Sequence, residues 1–554
     1  MGWNPFNAFR LAYDESMVMR NAEALVRLGL AGKGYRYVNI DGWWLNRNAD
    51  GIAIRTNLFP SAALKDGKTS FRPFVDRLHA MGLKAGIYTD IGRNNCSQHW
   101  DKDSPNLPEG TVAQREVGTM DHNRADAQMY FADWGFDFIK VDACGVADYA
   151  PGTPDVQSRR YRAVPPMIVR DNAVLSSPEA LEKLYADFAI ATRDAAKSEP
   201  PVLAICAWGE ADVNDWAGRH GQMWRTSGDI RPTWASMLRN FDSAAPRALF
   251  AAPGRWNDPD LLEIGNGDFD GDHLTEARAH MSLWAIIAAP LMLSYDLDKA
   301  PATIHEIAGN RAVIAINQDP AGNQGIILSS EGDREVIAKQ LATRGAKALA
   351  LINRGDATQR LSVDLTKLEL VPAATRIVNV WTGQDVAPAG KMLVVTLAPR
   401  ETLLLGLEGK PIDPLAIHPA EMPARISVAE HGFKPATRTV DKPWVPARVG
   451  FSPDGAPIMV DGKHDHRALG VAAGSKVHFA LNGEFRTLNV SPMVEGALRA
   501  DYRIYGDGRL LHRGPADGKP LVVSVADVRQ LEFVAPHHTE AMQSFVWANV
   551  GLFR

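Results

Sequence analysis

Cysteine is scarce in this chain. Three in 554 residues (Cys96, Cys144 and Cys206) are too few for a disulfide framework and too widely spaced for a zinc site. Taken alone, each reads as a small buried hydrophobe. Basic clusters are missing too: 60 Lys and Arg stand against 65 Asp and Glu, a net charge of -5, with no stripe of one sign. That excludes nucleic acid as the expected partner. Long apolar runs are also lacking. The longest, near residues 281–293, contains a proline and stops short of the roughly 18 to 20 residues a membrane span needs, so no membrane span is expected. The opening MGWNPFNAFR has no basic n-region, apolar h-region or cleavage site, and reads as the start of a strand from which a leader has been removed.

What is present is a large globular chain, 45% hydrophobic and 23% charged, too long for one core. The first 300 residues alternate short apolar runs (37–40, 84–88, 138–141, 202–206, 222–225, 291–294) with amphipathic stretches (14–28, 71–81, 121–134, 178–195). This pattern predicts a parallel sheet covered by helices, and its length favours a closed (β/α)₈ barrel over 1–300. Residues 301–409 change to short alternating segments, an antiparallel β domain. The Pro-rich KPIDPLAIHPAEMPAR, 410–425, reads as a linker, and 426–554 as a second β-sandwich with turns at Asn482-Gly483 and Asp507-Gly508.

Acidic residues recur where the barrel strands end. YVNID closes on Asp41, GIYTD on Asp90, FIKVD on Asp142 and WRTSGD on Asp229, while RWNDPD carries Asp258 and Asp260. In a (β/α)₈ barrel these ends share one rim, where active sites sit. One such Asp is ordinarily a turn or cap residue; five in register with strands call for chemistry. A carboxylate rim serves either a metal or a sugar. No His-Glu-x-x-His or paired-cysteine motif accompanies it, and the loop from Asn266 to Glu276 has Asp268, Asp270 and Asp272 at calcium-loop spacing without the rest of that pattern. His464-x-His466 and His537-His538 read as surface histidines.

Glycoside hydrolysis needs one ionised carboxylate and one protonated partner. Lys140 lies two residues before Asp142, on the same face of a strand, and is expected to hold Asp142 ionised as the nucleophile. Asp229 follows Thr226-Ser227-Gly228, and partial burial is expected to raise it into the range of a general acid/base. Tryptophans at 3, 43, 44, 208, 224 and 256 are candidate stacking surfaces for a sugar ring, although each is more often core.

MGWNPF, YVNIDGWW, GLKAGIYTDIG, WGFDFIKVDACG, WRTSGDI, RWNDPDLLEIGN and SLWAIIAAPLMLS, in this order, resemble glycoside hydrolase family 27, the α-galactosidase and α-N-acetylgalactosaminidase group. The resemblance runs from residue 1 to about 407. It implies a (β/α)₈ barrel followed by an antiparallel β-sandwich, a retaining double displacement on an oligosaccharide or polysaccharide, and no cofactor. Asp142, in Lys140-Val141-Asp142-Ala143-Cys144, inherits the nucleophile's role, and Asp229 the acid/base role. Trp3, Asp41, Lys140 and Arg225 inherit sugar contacts, and Trp44, Asp90, Cys206, Ala207, Trp208 and Asp258 complete the candidate substrate-binding set. Cys96 and Cys144 match a family disulfide, which points to a secreted or periplasmic protein. Oligomeric state is left open.

Two departures fall at sugar contacts. The family usually has two successive aspartates after the second strand, gripping the 4- and 6-hydroxyls; here Asp41 is followed by Gly42. Where α-galactosidases have Cys-Glu-Trp, with the Glu on the 2-hydroxyl, this chain has Cys206-Ala207-Trp208. Ala207 suits an N-acetyl or other 2-substituent, whereas Gly42 argues against a tightly held axial 4-hydroxyl. Glu210 and Asp212 are candidate replacement carboxylates. α-Galactosidase is the leading expectation, with isomaltodextranase-like, β-L-arabinopyranosidase or α-N-acetylgalactosaminidase action as alternatives. A non-catalytic carbohydrate-binding barrel and a metal-dependent hydrolase are the readings from other classes. VDGKHDHRALGVAAGSKVHFALNGEF, YRIYGDGRLLHRG and FVWANVGLF resemble an NPCBM-type carbohydrate-binding module, with Asp461, His466 and Trp547 as the places to look for a ligand.

Overall fold

A computed structural model describes the chain except residues 11, 43–44, 49–50, 101–106, 149–161, 163, 197–198, 441–442, 495–499, 538 and 540–541, and the side chain of residue 100. The chain forms two compact units. The first is Met1–Asn240, Asp258–His280 and Pro290–Gly309; the second is Phe241–Asn257, Met281–Ala289 and Asn310–Arg554.

Eight short parallel strands make one sheet: β1 (Gly2–Trp3), β2 (Tyr37–Asn39), β3 (Lys84–Asp90), β4 (Phe138–Asp142), β5 (Val202–Cys206), β6 (Met223–Arg225), β7 (Trp256–Asp258) and β8 (Met292–Leu293). Their order is β8-β1-β2-β3-β4-β5-β6-β7. A parallel bridge between Leu262, just past β7, and Leu293 closes the ring, with Leu262 N–H donating to Met292 O at 2.8 Å. This is the expected barrel. The helices cover it for the expected reason. In Glu15–Arg27, Val18, Met19, Ala22 and Leu25 are buried at spacings of one to three, and Asp14 caps the first turn by accepting from Met17 N. Burying each such aliphatic side chain contributes about 1.5–3 kcal/mol. The stretch expected as a helix over 121–134 starts at Asn123 and widens to π-type turns over Gln128–Asp133.

Register carries the chemistry. Asp90, Asp142 and Cys206 are direct partners across β3, β4 and β5, and Tyr88, Lys140 and Ala204 are partners two residues earlier. The three strand ends therefore stop at one level. Gly86 permits the close approach of β2 and β3: a β-carbon there would sit 1.8 Å from Asn39 Oδ1.

In the second unit a five-stranded antiparallel sheet (Ile326–Glu331, Arg334–Gln340, Ala346–Asn353, Thr402–Pro411, Leu370–Asn379) packs with the two-stranded antiparallel sheet Gln359–Asp364/Met392–Leu397 around Leu349, Leu351, Leu361, Leu393 and Leu405. The boundary at 301 needs correction. Two short helices, Ala302–Ala308 and Arg311–Asn317, come first, and the antiparallel strands begin at Ile326. The C-terminal sandwich packs the sheet containing Ser544–Phe553 on the sheet containing Lys476–Ala480, with Phe533 stacked on Trp547 at 4.3 Å.

The stretch 410–425 is not a free linker. Its first two residues finish a strand, Ala416–Ile417 pairs with Phe553 and Leu552, and Met422 lies in the sandwich core. The prolines there start two short 3₁₀ turns (Pro419–Glu421 and Pro423–Arg425) instead of an extended spacer.

Candidate active site

Asp142 ends β4 and is 5% exposed. Its Oδ2 accepts the Tyr88 hydroxyl at 3.1 Å and its Oδ1 accepts its neighbour Ala143 N at 3.1 Å. Asp229 stands on the loop after β6 with its side chain 56% exposed, and its Oδ1 accepts Arg225 Nη2 at 3.0 Å. Both carboxyls occupy the C-terminal rim, and each lies within the other's field.

The electrostatics run opposite to the sequence expectation. Lys140 Nζ does not pair with Asp142; it reaches Asp41 Oδ2 at 3.3 Å and lies near the Phe6 and Tyr88 rings. Burial pushes Asp142 up to about 6, Lys140 only partly offsetting it and the charge of Asp229 adding to it. Burial also works to raise Asp229, but Arg225 and then Lys140 outweigh it and hold Asp229 below the ordinary carboxylate range. The two carboxyls are thus biased apart, Asp142 upward by burial and Asp229 downward by Arg225. Adjacency in sequence misled here: the ammonium reaches past β3 to Asp41, beyond the end of β2.

Arg225 is 4% exposed and divides its Nη2 between Asp229 and Asp260, the latter at 2.9 Å. Asp260, at a left-handed φ of 91°, also accepts Ile230 N at 2.8 Å and donates its own N–H to Asp258 Oδ1 at 2.9 Å. Burial pushes Asp258 up to about 6 against the pull of Arg225. Asp41 is gripped by Lys140, Asn4 Nδ2 and Gly42 N, while the Tyr13 hydroxyl donates to Asp41 O at 2.6 Å and accepts from Asp41 N.

Several candidates belong to the wall behind the site. Trp3, Asp90 and Ala207 have no exposed surface, and Cys206 is 1% exposed. Trp3 donates its indole N–H to Tyr295 O, and Asp90 Oδ1 accepts Gly92 N and Gly145 N, shaping the loops after β3 and β4. They support the pocket and do not face a ligand. Trp208 is partly exposed at a left-handed φ of 51°, whereas Trp224 is buried. Trp43 and Trp44 lie outside the described residues.

Gly42 leaves no gap to fill. A β-carbon there would lie 3.3 Å from Tyr88 Cε1 and 3.9 Å from Asn95 Nδ2. Glu210 is not a replacement carboxylate in this geometry. Its Oε1 accepts Asp171 N, and its charged neighbours are Asp171, Asp148 and Arg170; burial raises it to about 7. Cys96 and Cys144 form the disulfide, with Cα atoms 5.0 Å apart, and Cys206 is a buried free thiol. Among the described residues the one grouping of possible metal ligands is Asp90 with these two sulfurs, which the disulfide consumes. In the calcium-like loop, Asp268 accepts Trp234 N and Asp270 accepts His273 and Asp272 N.

Sequence reasoning missed Tyr88, Tyr13 and Asn4, and passed over Asp260 after naming it on the rim. Alternation back from Asp90 points to Tyr88, which shares the level of Lys140. Tyr13 and Asn4 act through backbone and amide contacts that leave no motif.

Two carboxyls at the mouth of a closed (β/α)₈ barrel define the class: a glycoside hydrolase. Residues 10–159 and 168–319 match the family described as "Alpha galactosidase A", and 426–552 match the NPCBM/NEW2 domain. The chain belongs to that family, glycoside hydrolase family 27. It is 34% identical over 373 residues to α-galactosidase 2 of Arabidopsis thaliana, covering 67% of this chain and 79% of that one. It is 31% identical over 431 residues to α-galactosidase A of Cellvibrio japonicus, covering 72% and 92%. Among solved structures, α-galactosidase I from Mortierella vinacea aligns with a TM-score of 0.60 at 23% identity over 74% of this chain and 98% of that one. A β-L-arabinopyranosidase from Geobacillus stearothermophilus aligns with a TM-score of 0.57 at 22% identity over 74% and 95%. These two likenesses speak for the fold alone. No helix among the described residues is long and apolar enough to cross a membrane.

Proposed function

We propose that the protein releases terminal α-galactoside-type sugars, with Asp142 attacking the anomeric carbon and Asp229 protonating the departing oxygen. The observation that carries this reading is placement: Asp142 closes β4 and Asp229 follows β6 on the same rim of a barrel of this family, each within reach of a buried cation-carboxylate network. On substrate binding the proton moves from Asp142 to Asp229, leaving the nucleophile ionised. Arg225 makes that shift affordable, because Asp260 remains as its counter-charge when Asp229 is neutralised. After the covalent glycosyl-enzyme forms, Asp229 takes a proton from water and the ester is hydrolysed with retention. In this reading Lys140 and Asp41, paired at 3.3 Å, offer a donor and acceptors to sugar hydroxyls. The disulfide supports an oxidising, secreted or periplasmic setting.

Gly42 favours a second sugar. With no second carboxylate after β2 to grip a 6-hydroxyl, a pyranoside without C6, such as a β-L-arabinopyranoside, loses nothing at this position. The decisive test is kcat/KM on nitrophenyl α-galactoside, α-N-acetylgalactosaminide, α-glucoside and β-L-arabinopyranoside, with isomaltooligosaccharides. Preference for α-galactoside with product of retained configuration supports the first reading, and preference for the arabinoside replaces it. No turnover on any glycoside sinks both. The C-terminal module is assigned saccharide binding on a face that excludes Trp547, which is fully buried, and His466, whose imidazole is paired with Glu369 at 3.1 Å.

A further inference from the structure

The second unit contains a cavity of about 170 Å³, lined by none of the candidate catalytic or sugar-binding residues and walled by Leu249, Ile326, Val449 and Phe451 with Arg448 as its charged lining. Arg448 projects from the short strand Ala447–Val449 of the C-terminal sandwich. Its one hydrogen bond among the described residues runs from Nη2 to Pro443 O at 3.0 Å, and its Nε is buried with no partner. The acidic group that acts on it is Asp454, whose carboxylate is already engaged by Ser452 Oγ and Ala456 N. A second guanidinium, that of Arg247, adds its positive field, and burial with that repulsion pushes Arg448 down to about 10. A buried donor of this kind destabilises the fold if nothing accepts from it.

Arginine presents a planar fork that matches an oxyanion with two parallel bonds. Apart from Ser330 the remaining side chains of the walls are apolar, and the volume is below the roughly 300 Å³ at which drug-sized ligand pockets begin. We propose that this cavity is a binding site for a small organic carboxylate: the carboxylate pairs with Arg448 and a compact apolar body fills the space against Leu249, Val449 and Phe451. A hydroxyl-rich acid fits less well, since the walls offer Ser330 as their one side-chain hydroxyl. The site draws its walls from three separate stretches, 245–249, 326–330 and 448–455. An occupant therefore joins them and stabilises the unit by mass action.

The test is thermal unfolding of the full chain with isobutyrate, glucuronate or chloride at equal ionic strength, alongside hydrolysis of an aryl glycoside as a control for the barrel. Isobutyrate at about ten times its dissociation constant should raise Tm by roughly 2 °C. In Arg448→Gln that rise should vanish while hydrolysis is unchanged. If Arg448→Gln fails to fold, Ser330→Trp, placed at an exposed position of the mouth, should block the rise instead. An equal rise with chloride, a rise with glucuronate but not isobutyrate, no rise at all, or a rise that survives both substitutions would overturn the assignment. None of these outcomes depends on which sugar the barrel cleaves.

Discussion

With Asp142 raised to about 6 and Asp229 held low, the pH dependence of kcat/KM must change shape with the leaving group. For a natural disaccharide both roles are needed, so the active population is the singly protonated pair. That population is bounded above by the loss at about 6 and below by the protonation of Asp229, which lies under the ordinary carboxylate range. The profile should be a bell with an acidic optimum. Above the upper limb the singly protonated fraction is about one in eleven at pH 7 and about one in a hundred at pH 8, so kcat/KM should drop about tenfold per unit. An aryl glycoside with a good leaving group does not need the acid, and its kcat/KM should instead rise through about 6 to a plateau as Asp142 ionises. In Asp229→Ala that rising limb should move to lower pH, because the charge of Asp229 is one of the groups that lift Asp142. The assay is initial-rate kinetics from pH 3 to 9 on both substrates. A disaccharide profile flat to pH 8, or an aryl profile with the same descending limb as the disaccharide, would refute the assignment of the shared proton.

Asp260→Asn should leave Arg225 wholly to Asp229, deepening its depression, so kcat on poor leaving groups should fall about tenfold or more while aryl substrates change little. Replacing Cys96 with Ser removes a cross-link spanning 48 residues; the chain-entropy relation gives a loss of about 4 kcal/mol, readable by denaturant unfolding. Glu369→Gln withdraws the carboxylate that pairs with Arg467 at 2.7 Å and His466 at 3.1 Å, and should cost about 3 kcal/mol. Since its partners hold Glu369 down to about 2, that contribution is fully present above the ordinary value of 4.5 and disappears as pH falls toward 2; unfolding midpoints at pH 7 and pH 3 should show the gap between wild type and variant narrowing.

Much of the barrel was readable because its strands are short apolar runs ending in a carboxylate, a pattern set by burial below the rim and polarity on it. β1 and β7 were visible only as the flanks of motifs, since two or three residues carry no periodicity. Asp142 and Asp229 were legible as acids where barrel strands end, but the direction in which each is shifted was not. Those depend on which neighbour each cation reaches in space, and Lys140 reaches Asp41 while Arg225 reaches forward four residues to Asp229. Trp3, Asp90 and Ala207 were taken for ligand contacts because motif position does not report exposure. The prolines of 410–425 suggested a spacer, but proline also starts 3₁₀ turns, and the apolar Ala416, Ile417 and Met422 between them decided the matter by docking on the last strand.

That docking bears on how the protein can be engineered. The C-terminal sandwich is often imagined as a bead that can be unstrung and replaced, yet here its central strand, Ser544–Phe553, takes Ala416–Ile417 as a neighbour, and its core includes Ala248, Leu249 and Ile326 from far upstream. A chain cut within 410–425 would be left with an unzipped strand and a bare greasy patch, so transplanting a foreign module would require rebuilding the seam on both sides.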